Sequence, residues 1–430
     1  MDISPHVVVV GLGYAGLPLA VAFAEAGVQV VGLDVAPKRV EMINGGASYI
    51  DDIADERLND VVTSGAFSAT VDPACLERAT DIIICVPTPL TKHRIPDMRP
   101  IESASRTVAA CLRPGQLVVL ESTTYPGTTD EVVRPILEDS GLQAGVDFAL
   151  AYSPERIDPG ATGSGGFTLR NTPKLVGGLT ESCAARAAAL YGRVVDCLVP
   201  VSSPRIAEMA KLFENIFRNV NMALVNELSI LCERMDLDVW EVLDAAATKP
   251  FGFTRFNPSP GVGGHCIPVD PFYLTWKARE YGMHTRFVEL AGEINENMPR
   301  HVVGRVTRAL NDQMKSLKGS RILALGVAYK ANVSDMRGSP AIAVIEGLVS
   351  DGAEVRYHDP HVPEVHVAGS SMKSVPLTSD EIAHADCVLV LTDHSSVDYG
   401  LVVDHARMVV DTRNCVRKSR LSSLKQQVCA

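Results

Sequence analysis

Short β-branched runs alternate with helix-like segments through the first two hundred residues, and that alternation limits the possible folds more than any other feature. The runs are HVVVVGLG (6–13), VQVVGLD (28–34), TDIIICVPTP (80–89), QLVVLESTT (116–124) and DFALAYSPE (147–155), each ending in a turn or in polar residues. Strands that stay apolar on both faces belong to a parallel sheet covered by helices on both sides. From about Ser203 to Asp236 the pattern changes: apolar residues recur at spacings of three and four, with neither Gly nor Pro after the start. This predicts one very long helix, or two in series. The next seventy or so residues are helical in character apart from a glycine-rich loop around Cys266. Strand chemistry returns at Arg321 with RILALGVAYK (321–330), AEVRYHDP (353–360), ADCVLVLTDH (385–394) and RMVVDTRN (407–414). The expected architecture is α/β: a parallel-sheet domain over 1–202, a long central helix with a helical middle domain over 203–300, and a smaller α/β domain over 301–430.

The first strand runs into Val10-Gly11-Leu12-Gly13-Tyr14-Ala15-Gly16, a GxGxxG followed by the helical pattern LPLAVAFAEAG. In a Rossmann-type unit the first glycine makes a tight turn, the second lets the backbone approach a pyrophosphate, and the third brings helix and strand close. The phosphates then face the helix N-terminus. The second strand ends in Asp34, where a carboxylate accepts bonds from a ribose hydroxyl and repels a 2′-phosphate. This favours NAD over NADP, although Arg39 close by softens the exclusion. An ordinary glycine turn ended by a strand-terminating Asp34 is the competing reading.

A chain of 430 residues exceeds one ordinary domain. Its net charge of −11 argues against a sequence-independent nucleic-acid binder, which needs a basic face. No apolar run approaches the ~20 residues that span a bilayer, and no basic region precedes the first apolar stretch, so a cytoplasmic protein without membrane contact is expected. The ten cysteines show no CxxC pair, which argues against a disulfide framework or a metal site. The stretch GATGSGG (160–166) reads as a surface loop.

Cys266 lies in PGVGGHCIPVD (260–270), behind Gly261, Gly263 and Gly264 and beside His265. It could be a packed thiol, a metal ligand or a nucleophile. Metal ligation lacks partners at suitable spacing. The glycines permit unusual backbone angles and close ligand approach, which a filler thiol does not need. A nucleophilic thiolate needs nearby cations or N–H groups, for which Lys211 and Lys330 are candidates.

Seven stretches taken together, GLGYAG, CVPTP, ESTTYPGTT, SPERIDPG, AKLFENIFRNVNMALVNE, GVGGHCIPVD and GVAYKANVSDMRGSP, resemble the UDP-glucose/GDP-mannose dehydrogenases over nearly the whole chain and in family order. The resemblance implies oxidation of the C6 alcohol of a nucleotide sugar to a carboxylate with two NAD per sugar, through a thiohemiacetal and then a thioester on Cys266. It implies that Lys211 and Asn215, four apart on the long helix, stabilise the developing oxyanion. It makes Asp270 and Thr123 the residues that position water, and Glu155 a candidate base for thioester hydrolysis. Each has a structural alternative: a solvated Lys211, Glu155 paired with Arg156 or capping a turn, and Asp270 capping the helix that follows. Cofactor contacts are implied at Tyr14, Ala15, Pro87, Thr88, Thr123 and Lys330. Substrate contacts are implied at Glu155, Arg156, Lys211, Asn215, Arg218, Gly263, Lys330, Asp335, Arg337 and Arg413.

Departures from the UDP-glucose branch bear on substrate. Pro159 stands where that branch has an acid, and His265, Ile267 and Val269 replace its usual residues around the cysteine. These changes resemble the branch that oxidises UDP-N-acetylhexosamines, with UDP-glucose as the alternative. A two-electron β-hydroxyacid dehydrogenase or a non-catalytic NAD-binding protein are readings of another class, and neither has a use for Cys266. The resemblance also implies a homodimer through the long helix, or a higher oligomer.

Overall fold

The computed structural model describes residues 6–50, 52–157, 166–417 and 419. Pro159, the glycine-rich stretch up to residue 165, and Cys429 lie outside them. The chain forms two compact units, Met1–Glu214 with Phe272–His284, and Asn215–Pro271 with Thr285–Ala430.

The first unit is built on an eight-stranded sheet of β1 (His6–Val10), β2 (Gln29–Leu33), β3 (Phe67–Thr70), β4 (Asp81–Ile84), β5 (Leu117–Leu120), β6 (Ala149–Tyr152), β7 (Lys174–Gly178) and β8 (Leu198–Val201). Their order is β3-β2-β1-β4-β5-β6-β7-β8, and β1 to β6 are parallel. Alternate side chains enter opposite cores. Val7, Val9, Ile83 and Val119 pack with Leu17 and Phe23 of the helix Gly16–Glu25 on one face. Val8, Val10, Ile84 and Leu120 pack with Ile101 and Val108 of the helix Arg99–Cys111 on the other. Burial on both faces is why these strands read as uninterrupted apolar runs. One departure from an all-parallel sheet is β7, which runs antiparallel to β6 through Ala151↔Gly178 and Tyr152↔Gly177. That reversal brings Lys174, the first residue of β7, to the carboxyl end of the β6 strand.

The second unit carries a four-stranded parallel sheet, β10-β9-β13-β14, from β9 (Arg321–Leu325), β10 (Glu354–His358), β13 (Cys387–Val390) and β14 (Val409–Asp411). A short antiparallel hairpin of β11 (Glu364–Val367) and β12 (Ser370–Lys373), not legible in the sequence, is inserted after β10. Cores again form on both faces of this sheet. The helix Arg286–Asp312 contributes Val302, Val306 and Leu310 to one of them.

The stretch predicted as one or two helices is a single helix, Pro204–Arg234, of 31 residues. Its first part belongs to the first unit, and from Asn215 onward it belongs to the second. No helix among the described residues is long and apolar enough to cross a membrane.

Candidate active site

In the first unit the loops after β1 and β4 meet where the strand order reverses, the position at which open α/β sheets bind ligands. Gly11 has φ +93°, and a Cβ there would lie 2.5 Å from the carbonyl oxygen of Cys85. At Gly16 a Cβ would lie 1.9 Å from the Gly11 carbonyl oxygen. Both glycines are dictated by the chain itself. At Gly13 a Cβ would meet no atom within 4 Å. The protein gives no internal reason for that glycine, whereas a pyrophosphate lying on the helix N-terminus does. Asp34 accepts the Leu12 N–H at 2.9 Å and the Ala36 N–H at 2.9 Å. Arg39 stands 3.6 Å from the same carboxylate, which spends that cation on an internal pair. The Asp34 oxygens retain lone pairs for ribose hydroxyls. Thr88 is buried and Pro87 exposed in the loop after β4.

The loops after β5 and β6 carry Thr123 and Glu155, both half-buried. Glu155 does not pair with Arg156; its Oε1 accepts the N–H groups of Arg156 at 2.7 Å and Ile157 at 2.6 Å, so it caps the turn that follows it. The Arg156 guanidinium binds Glu214 instead, at 2.7 Å, and the Pro173 carbonyl at 2.6 Å. The far end of the ESTTYPGTT loop is held by Glu208, which accepts from Gly127 N at 2.6 Å, Thr129 N at 2.9 Å and Thr129 Oγ1 at 2.7 Å. Burial pushes the Glu208 carboxyl up to about 7 despite those bonds. Lys211 follows one helical turn later and is buried.

In the second unit the cysteine loop is fixed at its entry by amides. Asn226 Oδ1 accepts the Ser259 N–H at 2.9 Å, and Ser259 Oγ donates to the Gly261 carbonyl at 2.7 Å. Asn226 Nδ2 donates to Asn295 Oδ1 at 3.0 Å, and Asn295 Nδ2 reaches Asn219 Oδ1 at 2.9 Å. Pro299 inside the helix Arg286–Asp312 removes the N–H that the Asn295 carbonyl would accept, and a Cβ on Gly261 would come within 3.2 Å of that oxygen. The loop then packs on the GVAYKANVSDMRGSP segment. A Cβ on Gly263 would lie 2.8 Å from Tyr329 Cβ, 2.9 Å from Pro340 Cδ and 3.0 Å from the Gly338 carbonyl, and Gly264 (φ +89°) would bring one within 3.0 Å of the Tyr329 ring. At Gly263 and Gly264 the protein's own chain is thus one close neighbour that requires a glycine. Cys266 emerges exposed. Its carbonyl accepts the Asp270 N–H at 2.8 Å at the start of the helix Asp270–Ala278. Asp270 is buried and accepts from Asn215 Nδ2 at 2.5 Å. Burial, aided by Arg337, lowers the pKa of His265 and keeps its ring neutral, with Asp335 pulling the other way.

The segment beneath the loop is organised by a buried carboxylate. Asp359 accepts Val327 N at 2.7 Å, Ala328 N at 3.2 Å and His394 Nε2–H at 3.0 Å. Burial alone would raise its pKa, but these donors bring it to about 2. The second unit thus repeats the Asp34–Leu12 device after its own first two strands. Arg337 forms a forked pair with Asp335, with Nη2···Oδ2 at 2.6 Å, and Arg413 binds Asp393 at 2.7 Å. Lys330 is half-buried in the same segment, and Arg218 is exposed on the long helix.

Three family models cover the chain: the NAD binding domain of the UDP-glucose/GDP-mannose dehydrogenase family at residues 5–195, its central domain at 205–297 and its UDP binding domain at 323–418. The chain belongs to the UDP-glucose/GDP-mannose dehydrogenase family. This dehydrogenase is 36% identical over 420 residues to a UDP-N-acetyl-D-mannosamine dehydrogenase of Pyrococcus horikoshii, covering 96% of both chains. It is 37% identical over 358 residues to a UDP-N-acetyl-D-glucosamine 6-dehydrogenase of Pseudomonas aeruginosa, covering 83% of each. A solved structure of the UDP-D-ManNAc dehydrogenase from Pyrococcus horikoshii superposes with a TM-score of 0.86 at 35% identity, over 95% of both chains. The protein is an NAD-dependent nucleotide-sugar dehydrogenase with a UDP binding domain, which sets aside the β-hydroxyacid and non-catalytic alternatives.

The sequence-predicted residues divide between the two units. Gly11, Gly13, Tyr14, Ala15, Gly16, Asp34, Arg39, Pro87, Thr88, Thr123, Glu155, Arg156 and Lys211 lie in the first; Asn215, Arg218, Gly263, Cys266, Asp270, Lys330, Asp335, Arg337 and Arg413 lie in the second. Sequence reasoning missed Glu121, Lys174, Glu208, Asn219, Asn226 and Asn295. The asparagines had a signal, since asparagine is a poor helix former, and positions 215, 219 and 226 share one face of a helix.

Proposed function

We propose that this dehydrogenase oxidises the C6 hydroxymethyl group of a UDP-N-acetylhexosamine, UDP-N-acetylglucosamine or its manno epimer, to the carboxylate through a covalent bond to Cys266. The observation that carries the reading is an exposed thiol presented by a loop that is pinned along its length. NAD supplies a hydride acceptor at each of two oxidation steps. The primary alcohol loses a hydride and a proton to become an aldehyde. The Cys266 sulfur adds to its carbon, forming a C–S bond and an alkoxide that takes up a proton. Loss of a second hydride and a proton leaves a thioester, and water then displaces the thiolate and releases the carboxylate. In sum, one alcohol, two NAD and one water give one carboxylate, two NADH and three protons.

In this reading residues 1–202 bind NAD, 203–300 carry the cysteine loop and 301–430 bind the UDP portion. Lys211 and Asn215 stabilise the alkoxide with a charge and an amide N–H. Thr123 and Asp270 hold water, and Glu155 accepts its proton during thioester hydrolysis. Arg337 exchanges part of its pairing with Asp335 for the diphosphate, to which its fork is suited. Lys330 and Arg413 lie on the same unit and supply further positive charge. The choice of an N-acetyl sugar is supported by the names of the similar proteins and by His265, Ile267 and Val269 around the cysteine. Ten cysteines without pair spacing fit the reducing cytoplasm.

Steady-state turnover of UDP-N-acetylglucosamine, UDP-N-acetylmannosamine, UDP-glucose and UDP-galactose tests both parts. The expected result is two NADH per carboxylate and the highest kcat/KM on an N-acetyl sugar. One NADH with free aldehyde contradicts the covalent route, and a preference for UDP-glucose contradicts the substrate.

The long helix exposes Met209, Phe213, Phe217, Leu224, Leu228 and Leu231, recurring at spacings of three, four and seven. An apolar stripe of this length is costly to leave in water, and we infer that it pairs two copies of the chain. Light scattering should give twice the chain mass for the wild type and a lower mass for Leu224→Glu; a monomeric wild type refutes the pairing.

A further inference from the structure

The first unit buries a charged cluster for which the reaction above has no use. Lys174 and Glu121 are both nearly inaccessible, with Nζ···Oε1 at 2.6 Å. The second Glu121 oxygen accepts from the Tyr191 hydroxyl at 2.5 Å, and the ammonium also sits over the Tyr191 ring, 4.8 Å from its centroid. Burying an ion pair is costly, and replacing one by apolar residues is often neutral or stabilising, so stability alone is a weak reason for the cluster. Its location gives another. Glu121 is the first residue of the loop that carries Thr123, and Lys174 also donates to the Pro154 carbonyl at 3.2 Å, directly before Glu155. Glu155 Oε2 stands 3.9 Å from Nζ, while its Oε1 is occupied by the N–H groups of Arg156 and Ile157. One carboxylate oxygen is therefore fixed by the backbone, and the other faces a fixed cation.

We propose that Lys174 is a positioning residue for the hydrolytic half of the reaction: anchored by Glu121 and Tyr191, its ammonium joins the loops after β5 and β6 and holds the Glu155 carboxylate in one orientation. The inference rests on the role given above to Glu155. The direction of the ionisations agrees with it. Burial opposes the charge on Lys174, but Glu121 and Glu155 outweigh burial and hold its pKa above the ordinary value. Burial raises the pKa of Glu121, and Glu155 adds to that rise against the pull of Lys174, as expected when two carboxylates share one ammonium. A cation fixed 3.9 Å from Oε2 orients the carboxylate toward which water gives up its proton.

The test uses the full-length enzyme and removes both buried charges together, because a single neutralisation strands the other charge. Glu121→Gln/Lys174→Met is compared with wild type and with Glu155→Gln for melting temperature, kcat, KM for the UDP-sugar, and acyl adduct on Cys266 in acid-quenched protein. The expected double variant melts near the wild type, loses roughly 10- to 100-fold in kcat with KM for the UDP-sugar falling in step, and accumulates adduct as Glu155→Gln does. A structural role alone would not produce the adduct. A folded double variant with wild-type kcat, or one slowed without adduct, overturns the proposal. Should that variant fail to fold, Glu121→Gln/Lys174→Gln, which keeps a donor for the Pro154 carbonyl but no charge, is judged by the same outcomes. If Glu155→Gln itself gathers no adduct, the role of Glu155 is wrong, a result distinct from failure of the double variant alone.

Discussion

Gly13→Ala separates what the chain needs from what its cofactor needs. Of the three fingerprint glycines, Gly11 and Gly16 are enforced by carbonyl oxygens 2.5 and 1.9 Å from where a methyl carbon would stand, so their replacement disturbs the fold. At Gly13 the same methyl meets nothing within 4 Å, and its φ lies outside the left-handed region. The substitution should therefore leave stability unchanged or raise it by about 0.4–1 kcal/mol, by restricting the unfolded chain. If NAD lies on this helix N-terminus as proposed, the methyl instead occupies the space through which its pyrophosphate approaches. Displacing the phosphates by roughly 1 Å forfeits at least one charge-assisted hydrogen bond, about 1.5–3 kcal/mol, which is roughly a 10- to 150-fold rise in the NAD dissociation constant. Calorimetric titration with NADH, alongside a thermal melt, reads both quantities. Unchanged NADH affinity with an unchanged melt refutes the reasoning. So does a large loss of stability, which would mean that the space is not open.

Gly263→Ala is the counterpart in the second unit: three atoms within 3.0 Å, none at the end of a flexible side chain, force the cysteine loop away from Tyr329 and Pro340. Overpacking should cost about 1–3 kcal/mol, and a shift of roughly 1 Å at Cys266 should lower kcat by about 100-fold with NADH affinity intact, measured by melting and steady-state kinetics. Glu208 provides a pH signature. Its folded pKa of about 7 lies above the ordinary 4.5, so the stability it contributes is complete below pH 4.5 and is lost as pH rises through about 7. Relative to Glu208→Gln, which stays neutral, the wild type should lose up to about 3 kcal/mol between pH 4.5 and 8, read as the difference between the two melting curves. Parallel curves across that range contradict the assignment.

Much of the architecture was readable because buried parallel strands and amphipathic helices write different periods into a sequence. That β1 to β6 run parallel was legible in their uninterrupted apolar runs, but the reversal at β7 was not, since nothing in Lys174–Gly178 records the direction in which it runs. Among the site residues, Gly11 and Asp34 were legible because backbone geometry demands them at fixed spacing. Glycines 263 and 264 were recognised as constrained, but the partner that presses on them was not legible, because Tyr329 lies sixty-five residues or more away. Lys174 was invisible for the same cause: its meaning comes from Glu121, Pro154 and Tyr191, which only the folded sheet brings to it.

The central claim is a carbon–sulfur bond at position 266. Wild-type enzyme turning over a UDP-N-acetylhexosamine with NAD, quenched in acid and digested, should yield a Cys266 peptide heavier by the acyl group of the sugar nucleotide, and Cys266→Ala should yield none while still binding NADH. Carboxylate formation by Cys266→Ala at the wild-type rate, with no adduct on any wild-type peptide, would contradict it.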